Sequence, residues 1–290
     1  MSVASINAGE DFRVGDVLSR AWSVFTGNVI FFLAVPLLIN GFYLIVNFAL
    51  GSLFAVFRIA PVSSRMVPTA PGMVPASPWI IFVVSIGTLI VLLCLHMLGL
   101  GVLLMGAFQR LRGEPLRIGA ALQRALARLL PLVAVGILVT LAMLGVFLAC
   151  IAVLWVLGLV LGGLAAVLML GMFVPLFILW VMWSVVVPAC LVEGLGPIES
   201  MARSADLTRG YRWKITGIML LFMLIASAAG IIVIILLALM RFNPVLVLIL
   251  EVAAGVVLTA YFDCALIMIY HDLRVAKEGV DTSQIASVFD

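Results

Sequence analysis

The sequence predicts an all-α membrane protein: a polytopic bundle of six transmembrane helices, with short amphipathic helices at the interface. Three observations carry this prediction. Of 290 residues, 66% are hydrophobic and only 10% charged, and the mean hydropathy is +1.37. A soluble domain runs about 45–50% apolar and roughly 25% charged, so there is too little polar surface here to cover a water-facing globule. The charges fall between uncharged runs of spanning length, and the basic residues are shared unequally between alternate loops. Such a chain is not a nucleic-acid binder, a disordered protein or a disulfide-stapled secreted module, and its composition argues against a soluble enzyme.

A single membrane domain over 1–290 is expected. Its parts are an N-terminal segment 1–27 holding an amphipathic helix, a six-span bundle 28–270 and a tail 271–290. Glu10, Asp11 and Asp16 occupy a start without the basic-then-apolar order of a cleavable signal, so this segment is expected to stay in the cytoplasm. No charge occurs over 21–57, 66–109, 129–192 or 215–240, and only Glu251 and Asp263 interrupt the run to His271. Because a span needs roughly 20 apolar residues, the block 129–192 must hold two helices, turning near Gly158, Gly162 and Gly163. The six spans fall near 28–56, 79–108, 130–157, 164–190, 215–240 and 245–270. Pro61, Pro68, Pro71, Pro75 and Pro78 make the loop 58–78 an extended connector. Pro36, Pro175 and Pro188 should kink spans one and four, while Trp22, Trp79 and Trp213 read as interface anchors. Cys94, Cys150, Cys190 and Cys264 have no paired spacing and read as free thiols acting as small hydrophobes.

Positive charge resists translocation, so the loops richer in Lys and Arg face the cytoplasm. Thirteen of the sixteen basic residues lie in the N-terminus, the second and fourth loops and the C-terminus, against Arg58, Arg65 and Arg241 on the other side. Both termini are therefore expected in the cytoplasm. Eleven of the thirteen acidic residues share that face, which is densely charged yet close to neutral.

Three segments that precede odd-numbered spans read alike: GDVLSRAWSVF from Gly15, GAALQRALARL from Gly119 and IESMARSADLT from Ile198. Arg20, Arg124 and Arg203 coincide in register, as do Leu18, Leu122 and Met201, so the chain reads as a threefold internal repeat of an amphipathic helix and a transmembrane hairpin. In the second copy Ile118, Leu122, Leu126 and Leu129 follow helical spacing as an apolar face, and Arg117, Arg124 and Arg128 lie on another. Such a helix can rest in the interface, apolar side in lipid or on the bundle, with its arginines among anionic headgroups. In the third copy the spacing lets Arg203 pair along the helix with Glu199 and Asp206. Two readings of these helices stand: shaping the cytoplasmic face, or recognising a partner or an anionic lipid through Arg117, Arg124, Arg128, Arg203, Arg209, Arg212, Lys214 and Arg274.

The stretches VEGLGPIESMARSADLTRGYRWKI (192–215) and YHDLRVAKEGVD (270–281), with the six-span plan, resemble the bacterial family named for the membrane domain of glycerophosphoryl diester phosphodiesterase. The matching residues are Gly196 and Pro197, Arg203 and Ser204, Trp213, Asp272 to Arg274, and Glu278 with Gly279. The family's name comes from proteins in which such a bundle is fused to a soluble catalytic barrel, and these 290 residues hold no such domain. The resemblance thus implies a bacterial inner-membrane bundle, and phosphodiesterase activity is not carried over with the family's name.

Ionisable groups inside a bilayer are costly, which makes each a functional candidate. Glu251 and Asp263 stand twelve residues apart on the sixth span, about 18 Å of rise and about 120° of turn, so they cannot share one site on a straight helix. Each is read as a structural pair, Glu251 with Arg241 near the turn at Asn243 and Pro244, as a proton- or ion-coupling group, or as exposed at the interface. Asn40, Tyr43 and Asn47 form one polar stripe on the first span, either hydrogen-bonded to neighbouring helices or facing Asp263 across a hydrated cleft. His96 reads as a hydrogen-bonded core residue, since two histidines in the chain argue against a His-based metal site. No nucleotide, hydrolase or metalloprotease motif occurs, and no cofactor is expected. The first expectation is a non-enzymatic scaffold, accessory subunit or module that binds lipid or a partner at the bacterial cytoplasmic membrane, with a protein partner or a second copy of itself. The alternative is a transporter or channel-like protein for a lipid or small solute using Asp263 and Glu251; an intramembrane enzyme ranks third.

Overall fold

The structure, a computed structural model, describes residues 13–56, 59–60, 74–75, 77–161, 171, 173–239 and 244–278. Glu10, Asp11, Arg58, Arg65, Gly162, Gly163, Arg241, Asn243, most of the 58–78 loop and the tail beyond 278 lie outside those residues. The described chain is an all-α bundle. Its one departure is a two-residue parallel pairing of β1 (Ile59–Ala60) with β2 (Val74–Pro75).

Each short helix precedes a pair of long ones. α1 (Val14–Gly27) leads into α2 (Val29–Val56) and α3 (Pro78–Leu111); α4 (Ile118–Ala127) leads into α5 (Leu129–Leu161), α6 (Phe173–Met182) and α7 (Val186–Val192). α8 (Pro197–Thr208) leads into α9 (Arg212–Leu239) and α10 (Pro244–Glu278). Six stretches, Val29–Leu50, Phe82–Leu111, Leu129–Gly158, Phe173–Val192, Arg212–Leu236 and Ile249–Glu278, are long and apolar enough to cross a membrane. The chain is a multi-pass membrane protein.

Close packing is confined to the end of the bundle that carries the charges. Lipid tails are as apolar as leucine, so membrane helices gain little by burying leucines on one another and approach closely where residues are small or polar. α3 follows this rule: a Cβ at Gly106 would collide with the Phe31 ring, and one at Gly101 would stand 3.2 Å from the Ala125 Cβ. Residues 99–108 of α3 and 263–273 of α10 are continuously buried there. Farther from that end, large side chains of the neighbouring helices, such as Leu38 and Phe48 of α2, Leu148 of α5 and Ile232 and Ile234 of α9, point outward.

α1 buries Val17, Ala21 and Phe25, spaced four apart, and packs along α10. α4 does otherwise. Ala121 and Ala125 face the bundle, while Ile118, Leu122 and Leu126, the apolar face read from the sequence, remain exposed. The approach of Gly101 to Ala125 leaves no room for a leucine at that contact, so the larger stripe turns outward.

Span four is interrupted at Trp183–Val185, not simply kinked. Pro175 and Pro188 each sit in the first turn of α6 and α7, where a missing N–H removes no helical bond; Pro36 alone stands in a helix interior. At the break the N–H of Val186 turns to the Trp183 carbonyl at 3.2 Å. The Met182 carbonyl thereby loses its helical donor and instead accepts from the fully buried Ser204 hydroxyl at 2.8 Å and from Thr208 at 3.4 Å. Ser204→Ala should lower stability by about 1 kcal/mol, because Thr208 replaces the bond only in part. Thermal unfolding of the full chain in detergent measures it, and an unchanged midpoint would show that the break needs no such donor.

Candidate functional site

Two parts of the chain far apart in sequence meet at the charged end. Glu193 follows the last turn of α7, Arg203 lies on α8, and Tyr270, Arg274 and Glu278 lie on the final turns of α10. Arg203 Nε donates to Glu193 Oε2 at 2.8 Å and its other arm pairs with Glu278. Arg274 Nε stands 3.0 Å from Glu278 Oε2, one helical turn on, and 3.9 Å from Glu193 Oε1. The Tyr270 hydroxyl donates to Glu193 Oε1 at 2.8 Å. Two guanidiniums and two carboxylates thus bridge one another, a neutral network that ties α7, α8 and α10 together.

Local geometry prepares it. Gly194, with φ at +68°, turns the chain out of α7 in a conformation that side chains resist. Arg128 holds that turn through a 2.9 Å bond to the Gly194 carbonyl. Pro197 occupies the first turn of α8, and Glu199 Oε2 accepts from the Gly196 N–H at 3.1 Å. Glu199 is thereby occupied as a cap, and Arg203 pairs across the bundle rather than along its own helix. Asp206 likewise turns to Lys277 on α10 at 3.9 Å. The register shared by Arg20 and Arg203 has a structural counterpart, because Arg20 on α1 pairs with Asp272 of α10. Asp272 also lies 3.2 Å from His271 Nδ1, and His271 Nε2 is buried with no hydrogen-bond partner.

No family model matches the chain, and no curated protein or solved structure is significantly similar to it. The site must therefore be read from its own geometry.

Of the basic residues singled out from sequence, the structure brings Arg203 and Arg274 into one network and sets Arg128 beside it. Arg117, Arg124, Arg209 and Lys214 remain exposed, and Arg212 is half-buried at the start of α9. Lys214 lies 5.7 Å from the Tyr211 ring centroid. The intramembrane candidates do not converge. Asp263 is buried, and no hydrogen bond or ion pair reaches its carboxylate among the described residues; Glu251 is exposed near the opposite end. The Asn40 and Asn47 amides donate to the carbonyls of Pro36 and Tyr43 on their own helix, each at 2.8 Å, and Tyr43 is exposed. An amide that bonds its own preceding turn needs neither a neighbouring helix nor a hydrated cleft. His96 is exposed rather than in the core, because α3 turns that face away from the packed end. The four cysteines are free, and no three His, Cys, Asp or Glu side chains among the described residues form a metal-holding group.

Glu193, Tyr270, Asp272 and Glu278 do the pairing and were not singled out as site residues from sequence. A signal existed in the i,i+4 spacing of Arg274 and Glu278. Arg203→Gln should cost on the order of 2 kcal/mol, between the values of exposed and fully buried pairs, since Arg203 and Glu193 are 25% and 16% exposed. Glu278→Gln should cost about half as much because Arg203 keeps Glu193. A double-mutant cycle on thermal stability should give a coupling of roughly 0.5–3 kcal/mol, and additive losses would contradict the network.

Proposed function

We propose that this chain is a non-enzymatic module of a bacterial cytoplasmic membrane, with both termini in the cytoplasm, acting as a scaffold or accessory subunit that presents its charged end to a partner and to anionic lipid. One observation supports this above others: the described polar cross-links between helices concentrate at a single end. There Arg20, Arg203, Arg274 and Lys277 are taken up by carboxylates, while Arg209 and Lys214 on the same end stay exposed and enter none of the described ion pairs. Paired charges hold the platform rigid, and unpaired ones remain for recognition. The outward stripe of Ile118, Leu122 and Leu126 on α4 suits an amphipathic helix bedded in the interface. The resemblance to the membrane domain associated with glycerophosphoryl diester phosphodiesterase belongs with this reading.

Full-length protein solubilised from its native membranes in mild detergent should run as a complex heavier than its own 31.1 kDa plus bound detergent. Arg209→Glu with Lys214→Glu should release the partner without moving the unfolding midpoint. A lone monomer in both samples would refute the docking role.

Asp263 favours a second reading, because a buried carboxylate without an ionic partner is costly in a membrane and is often kept for transport. Under that reading Asp263→Asn abolishes solute uptake in a null strain while leaving protein level unchanged. Under the first reading it alters stability alone.

A further inference from the structure

α6 packs against both α5 and α9, and a cleft of about 1170 Å³ opens between the three. Its volume exceeds the roughly 300–1,000 Å³ of ordinary small-molecule pockets. The two ends of this cleft differ in chemistry. Arg212 and Trp213 stand at the charged end; Phe147 and Met223 lie at the other; Thr140 and Trp180 line the walls between, which are almost wholly apolar. Arg212 is half-buried and its Nε has no hydrogen-bond partner, while Trp213 beside it is 88% exposed.

The depth of the cleft matches one leaflet. Arg212 and Met223 are eleven residues apart on α9, a rise of about 16 Å, and half of a hydrocarbon core about 30 Å thick is about 15 Å. An occupant filling it carries an anionic, hydrogen-bond-accepting group at the interface and hydrocarbon down to the midplane. A tryptophan at the mouth has the amphipathic ring that settles at headgroup level. A phosphate oxygen at the mouth can accept from the Arg212 guanidinium, which lines the cleft and enters no described ion pair, in a charge-assisted bond.

We infer that the cleft between α5, α6 and α9 binds one anionic phospholipid of the leaflet at the charged end, with its phosphate on Arg212 beside Trp213 and its acyl chains running past Thr140 and Trp180 towards Phe147 and Met223. The net charge of the headgroup matters because the half-buried Arg212 guanidinium at the mouth enters no described ion pair, so it repels the cationic part of a zwitterionic headgroup while attracting the phosphate. Acyl chains gain little by leaving bulk lipid for an apolar cleft; the headgroup supplies the selectivity. A basic residue near the surface contributes about 1 kcal/mol, which corresponds to about a fivefold preference. This inference deepens the lipid-binding part of the function proposed above.

The test reconstitutes the full chain in vesicles of equimolar phosphatidylglycerol and phosphatidylcholine with matched chains, extracts it in mild detergent and counts retained lipids by mass spectrometry. Wild type should retain phosphatidylglycerol about fivefold over phosphatidylcholine. Arg212→Gln should bring the ratio near one, Arg212→Lys should restore most of it, and Thr140→Trp should lower the retained lipid of either headgroup. Arg209→Gln, on the exposed surface outside the cleft, should leave most of the preference. Equal retention of both lipids by wild type overturns the inference. So does an equal loss from Arg209→Gln and Arg212→Gln, which marks diffuse surface charge. A dimer dissociated by Thr140→Trp without any change in lipid count overturns it by assigning the cleft to a second copy. Partner docking is read separately from complex mass, so either proposal can fail while the other stands.

Discussion

The final turns of α10 carry His271, Asp272, Arg274 and Glu278, and the helix is buried continuously from Asp263 to Leu273. The charges of those final turns each meet an opposite charge, whereas Asp263, deeper in the same buried run, meets none among the described residues; an uncompensated ion out of water costs several kcal/mol. The remaining elements are arranged around that pairing. α1 brings Arg20 to Asp272, α8 brings Arg203 to Glu278, and the turn after α7 brings Glu193 to Arg203, Arg274 and Tyr270. Two short helices in equivalent repeat positions therefore perform equivalent work, each extending an arginine to a carboxylate of the same long helix.

The same logic accounts for the unequal packing along the bundle. Between apolar helices in lipid there is little hydrophobic gain, so close contact follows glycines, hydroxyls and ion pairs. These lie at the charged end, where Gly101 and Gly106 admit Ala125 and Phe31 and where Ser204 repairs the break in span four. A chain of aromatic contacts continues the packing inward: Trp22 meets Tyr261 edge-on at 5.5 Å, Tyr261 meets Phe222 at 5.1 Å, and Phe222 meets Phe262 at 5.1 Å. Phe262 then stacks on Trp180, which lines the cleft between α5, α6 and α9. The cleft is thereby backed by side chains anchored in the packed end.

Much of the fold was legible in the sequence, because spanning length and charge exclusion are one-dimensional properties. The six apolar helices fall close to the six spans read from the charge-poor runs, and each short helix sits where the repeated segments stand. Pairing was less legible. Glu199 and Asp206 have the spacing to pair with Arg203, yet one caps a helix and the other meets Lys277. Local spacing counts opportunities within a helix and is blind to a better donor or acceptor brought in from another. The stripe of Asn40 and Asn47 misled similarly, since an amide's bond to its own helix leaves no trace in the spacing of polar residues.

By itself the sequence determined that the chain is a multi-pass helical bundle, where its apolar helices run and which loops carry the charge, because those follow from composition and length. The tertiary structure decided which charges neutralise each other, that α4 turns its alanines inward and its leucines outward, that span four is broken and satisfied by Ser204, and that Arg212 stands at the mouth of an apolar cleft. Each of those depends on distances between residues tens to hundreds of positions apart, fixed only when the helices pack.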